Sequence, residues 1–74
     1  MASSEEPGLK YFNAAINLEK AGLIERAIKT YYSIIIHFPK TVAFTVFKTP
    51  WYPGVSAGDR MEYLLRKYPN LNLE

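Results

Sequence analysis

Residues 23–39 read LIERAIKTYYSIIIHFP, and whether this stretch is helix or strand decides the fold. Its second half, TYYSIIIHF at 30–38, is rich in β-branched and aromatic residues and on its own has the composition of a strand. Over the full stretch, Ile24, Ala27, Ile28, Tyr31, Ile34, Ile35 and Phe38 recur on one broad helical face, whereas apolar and polar residues do not alternate. The longer-range period outweighs local propensity, so a helix is expected, ending before Pro39.

Working outward, residues 9–21 (LKYFNAAINLEKA) set Tyr11, Ala14, Ala15 and Leu18 at the spacing of an amphipathic stripe, and Gly22 follows as a left-handed stop. Two helices joined by a short glycine-centred turn form an antiparallel hairpin. Downstream of Pro39, Thr41 can cap a short helix VAFTVFK over 42–48, a segment that also reads as an extended strand. TPWYPG (49–54) then breaks the chain at two prolines. SAGD (56–59) has the pattern of a capping box, with Ser56 and Asp59 opening a last helix whose apolar face is Ala57, Met61, Leu64, Leu65 and Tyr68 and which Pro69 stops.

The two proline-stopped helices repeat one another. Ala27, Tyr31, Ile34 and Pro39 have the same offsets as Ala57, Met61, Leu64 and Pro69, and His37-Phe38-Pro39-Lys40 recurs as Lys67-Tyr68-Pro69-Asn70. With Tyr11, Ala14-Ala15, Leu18 and Gly22 ahead of the first copy, residues 8–41 resemble one complete tetratricopeptide repeat. The second copy is irregular: Pro39 and Pro69 are 30 residues apart instead of about 34. The shortfall lies between Thr41 and Ser56, where the repeat's first helix belongs.

The resemblance implies an all-α fold, with a tetratricopeptide-like helical hairpin, a shortened second hairpin and a C-terminal capping helix. Ala15 and Ala27 would let the first two helices approach closely. The implied organisation is a flexible N-terminus over 1–7, a single helical domain over 8–69 and a tail over 70–74. In such repeats the first helix lines a concave groove, which here maps to Leu9, Phe12, Asn13, Ile16, Glu19 and Lys20. Two readings compete there. Phe12 and Ile16 are either buried against later helices or a second chain, or they form the floor of an apolar groove. The family's clamp for terminal carboxylates does not carry over.

Composition narrows the classes. The 74-residue chain is near the size at which one hydrophobic core is marginally stabilising, it has no cysteine, and its formal charge is only +2. MASSEEPG lacks the basic and apolar regions of a secretory signal, and the apolar runs are far shorter than a bilayer span. A soluble, cytoplasmic chain is expected, with no membrane partner. The single histidine, His37, closes a helix, where a cation is favoured, and no serine or carboxylate is spaced to act with it. No metal, cofactor, phosphate-binding or small-molecule motif is present, and no enzyme is expected.

The functional expectation is a non-catalytic protein-interaction or scaffold module that binds a protein partner or pairs with itself as a homodimer. The alternative is a weak single-strand nucleic-acid binder using Lys48, Trp51, Tyr52 and the basic helix end Arg66-Lys67, disfavoured by the lack of clustered charge. Trp51 and Tyr52 are expected to fold back over the ends of the helical hairpin.

Overall fold

A computed structural model describes residues 7–71, and the order is helix α1 (Pro7–Lys20), helix α2 (Ile24–His37), strand β1 (Ala43–Phe44), strand β2 (Pro50–Trp51) and helix α3 (Pro53–Lys67). The stretch that opens the question of fold is helical from Ile24 to His37, with Leu23 and Phe38 as its caps. Ala27, Ile28, Tyr31 and Ile34 of α2 are buried. The β-branched run is stable as a helix because both its neighbours, α1 and α3, pack against it and bury its face.

Chain reversal between α1 and α2 follows from backbone geometry at one residue. Gly22 has φ 83°, its amide donates to the Glu19 carbonyl at 3.0 Å, and the Leu23 amide donates to that of Leu18 at 2.9 Å. That pair of bonds is a Schellman stop, which needs the left-handed conformation glycine adopts without cost. Tight approach also fixes the start of α1: a Cβ on Gly8 would lie 2.5 Å from the Thr41 hydroxyl.

The stripe expected on α1 is rotated. Ala15 is buried and Leu18 packs partly buried against the core, but Tyr11 and Ala14 are exposed and Phe12 is buried in their place. Tyr11 still covers the end of α2, its ring stacked on Phe38 at 5.5 Å. The rotation arises because α1 is packed from two directions, by α2 and by the segment after Pro39. Phe12 stands where the two meet.

That segment is one arm and the turn of a β-hairpin: of the two readings open for 42–48 the helix does not form, and the extended one holds at Ala43–Phe44. β1 and β2 pair antiparallel, Ala43 with Trp51 and Phe44 with Pro50. The fold is therefore predominantly helical with a small two-stranded sheet rather than purely helical. The loop is closed by Thr45 N–H to the Thr49 carbonyl at 3.0 Å and Lys48 N–H to the Thr45 carbonyl at 2.8 Å, with Lys48 at φ 63°. This is the three-residue hairpin in which a turn ends on a left-handed residue. A helix over 42–48 would have needed a full turn before Pro50, whereas Thr45 Oγ1 instead accepts the amides of Phe47 and Thr49, both at 3.2 Å.

The capping box at Ser56 and Asp59 is not formed. α3 starts four residues earlier, with Tyr52 as N-cap in place of Ser56, Pro53 in the first turn, and no side-chain cap bond. Proline at that place carries the helical φ already and lacks an amide that would go unpaired, so Ser56 falls inside the helix. Of the expected α3 face, Ala57 and Leu64 are buried, Met61 and Tyr68 are partly buried, and Leu65 is exposed. Pro7 and Gly8 belong to α1, and Leu71 packs partly buried on the core. The remaining flexible N-terminus and tail expectations fall on 1–6 and 72–74, outside the described residues.

Candidate functional site

The face of α1 expected to line a groove is divided by the structure. Phe12 is only 8% exposed, edge-on to Tyr31 at 5.7 Å and to Trp51 at 5.1 Å. Phe12 is thus buried within the chain, partly under a ring of the β-hairpin rather than a later helix, whereas Ile16 is not. Leu9 and Ile16 are half-buried, while Asn13 and Lys20 are exposed. Phe12, Ile16, Glu19 and Lys20 nevertheless converge with Arg60 of α3 around an open recess of about 210 Å³. Asn13 and Leu9 do not line it.

Arg60 is the residue the sequence reading missed. Its guanidinium donates to Glu19 Oε2, and the Tyr31 hydroxyl donates to Glu19 Oε1 at 2.9 Å, so one carboxylate ties α1, α2 and α3 together. Glu19 and Arg60 lie 41 positions apart in the chain, beyond any local spacing rule. The sequence signal was only that an acid and a base sit on otherwise apolar helix faces.

The electrostatics of this linkage are those of a structural clasp. Burial, then the Glu19 hydrogen bond and charge, push the Tyr31 hydroxyl up to about 12, with Arg60 opposing them. The bond to Glu19 likewise raises Arg60 further into its charged range, and its guanidinium lies 4.8 Å above the Tyr63 ring. A tyrosine held protonated and an ion pair engaged on both oxygens are not poised to exchange protons near neutral pH. What the recess offers is an apolar wall from Phe12 and Ile16 with the exposed ammonium of Lys20 at its rim.

The other singled-out residues are dispersed. Trp51 is half-buried with an edge contact to Phe12, and Tyr52 is exposed at the start of α3. Arg66 and Lys67 lie at the opposite end of that helix, roughly 20 Å away at 1.5 Å rise per residue. There Arg66 pairs with Glu62 at 2.8 Å and the Lys67 ammonium is 5.6 Å from the rings of Tyr63 and Tyr68. His37 is exposed at the end of α2, its ring 6.3 Å from that of Phe38. The structure does not gather Lys48, Trp51, Tyr52, Arg66 and Lys67 into one strip.

Among the described residues, no three His, Cys, Asp or Glu side chains are grouped to hold a metal ion, and no helix is long and apolar enough to cross a membrane. A second open groove of about 380 Å³ runs between α2 and α3, walled by Ile28, Tyr32, Met61 and Leu65. Comparison with family models, with curated proteins and with solved structures finds no match to this chain.

Proposed function

We propose that the chain is a non-catalytic protein-interaction module of tetratricopeptide type that pairs with a second copy of itself. The observation that carries this reading is the recess on α1, apolar on the Phe12 and Ile16 side, with Glu19 in its lining neutralised by Arg60 and hydrogen-bonded by Tyr31. Such a recess accepts an apolar side chain and leaves Lys20 to meet a carboxylate of the partner. The α2–α3 groove gives a second apolar opening, and a chain with so little core gains most from burying both.

Ile16 is the residue to test, because Phe12 is part of the core and its replacement by a charge would unfold the domain. Sedimentation equilibrium across micromolar concentrations is expected to show self-association of the wild type and its weakening, by about ten-fold or more, in Ile16→Asp. Circular dichroism of the variant checks that its helices persist. A wild type that stays monomeric, or an Ile16→Asp variant that associates equally well, contradicts the proposal.

A further inference from the structure

The apolar residues least accounted for by the fold are at the tip of the β-hairpin. Val46 is 91% and Phe47 87% exposed, and Phe44 faces outward from β1 at 64%. They are held there by an ordered loop, since Thr45 binds the backbone of Phe47, Lys48 and Thr49 by four hydrogen bonds of 2.8–3.2 Å. The inner face of the same ribbon, Ala43 and Trp51, belongs to the packed side. The tip is thus a fixed projection whose apolar side chains are left uncovered by the described residues.

Among the described residues, the charges carried by the hairpin and the turn before it are of one sign. From Arg26 to Gly58 the sequence contains no Asp or Glu, while Arg26, Lys29, Lys40 and Lys48 all lie in that span. Lys48 is in the tip loop, Lys40 in the turn that leads into β1, and both are exposed. Gly8 abuts Thr41, so α1 begins beside the base of the hairpin, with Lys10 exposed two residues on. The described acids, Glu19, Glu25, Asp59 and Glu62, all lie outside the span. Lys48 moreover occupies a left-handed position that glycine or asparagine fills most easily, so a base stands at the tip despite the backbone's preference.

We propose that the hairpin is a membrane-surface wedge: Val46 and Phe47 enter the acyl boundary of an anionic bilayer while Lys48, Lys40 and Lys10 contact its headgroups. Two signals of this kind, apolar insertion and basic attraction, are what reversible surface binding requires. The site is separate from the α1 recess and stands independently of the self-association reading. It concerns the bilayer surface alone.

Co-sedimentation of the full chain with phosphatidylcholine vesicles containing phosphatidylserine, compared with phosphatidylcholine alone, tests it. Binding is expected only to the anionic vesicles and to decline as salt is raised. Val46→Ser with Phe47→Ser is expected to reduce it about a hundred-fold, from the transfer free energy of two apolar side chains. Lys40→Gln with Lys48→Asn is expected to reduce it on the order of twenty-fold, at about five-fold per base. All four side chains are exposed, and an unchanged circular dichroism spectrum confirms folding. Absence of wild-type binding, equal binding to neutral vesicles, or retention by the Val46→Ser/Phe47→Ser variant overturns the proposal. So does a finding that this variant only dissociates a dimer, which would make the tip a protein contact.

Discussion

The ends of α2 and α3 are the same device built twice. Ala27 and Ala57 are each fully buried, Ile34 and Leu64 are at most 1% exposed, and each helix ends with the amide after it, Phe38 or Tyr68, donating back to Ile34 or Leu64 at 2.9 Å. What precedes each copy differs. α2 is preceded by a full helix through the Gly22 turn, whereas α3 is preceded by a short β-hairpin whose Trp51 packs on Phe12 of α1. The same helix end therefore follows two kinds of chain, a full helix and a short hairpin, and the hairpin contributes Trp51 to the shared core.

The most sensitive way to break this equivalence is to cut a cavity in each copy. Ile34→Ala and Leu64→Ala are each expected to cost about 2–5 kcal/mol in urea unfolding, and to cost similar amounts, because both sites are closed on all sides. A loss at Leu64 far below that at Ile34 would show that the hairpin-backed copy packs loosely.

A smaller effect separates the copies at high pH. Tyr31 of α2 is held by Glu19, while its counterpart in α3 is Met61 and cannot titrate. Because the folded state raises the Tyr31 hydroxyl from 10.0 to about 12, its contribution is complete below pH 10 and is lost as pH rises towards 12. Wild type is expected to lose stability relative to Tyr31→Phe over that window, followed by thermal unfolding at stepped pH. A constant difference between the two proteins would mean the hydroxyl is not buried on Glu19.

The helices were legible because their information is local. The 3.6-residue period over 24–38 outvoted the strand-like composition of Tyr31–Ile36, and the matched small and large residues marked both proline-stopped ends. The hairpin was hidden because its left-handed position carries Lys48 instead of glycine or asparagine, and because its strands are only two residues each. Without that signal, helix and strand both remain open for 42–48. The face of α1 was rotated for a related reason: Phe12 is selected over Tyr11 by Trp51, a neighbour whose path depends on the unread hairpin.

The site was half legible. Phe12, Ile16, Glu19 and Lys20 were marked by their place on α1, but Arg60 was reachable only through the packing of α3 across α2. The basic span from Arg26 to Gly58 was visible in the sequence all along, averaged away by a net charge of +2. Local sign, more than total charge, sets what a surface attracts.

The rest of the fold depends on the β-hairpin packing against the core through Trp51. Nuclear Overhauser contacts between the Trp51 indole and the Phe12 ring test it most directly, since the ring centroids are 5.1 Å apart. The account predicts strong cross-peaks between these two rings, together with cross-strand contacts between Ala43 and Trp51. A Trp51 ring with no contact to Phe12, and helical amide-to-amide contacts running through 42–48, would contradict it.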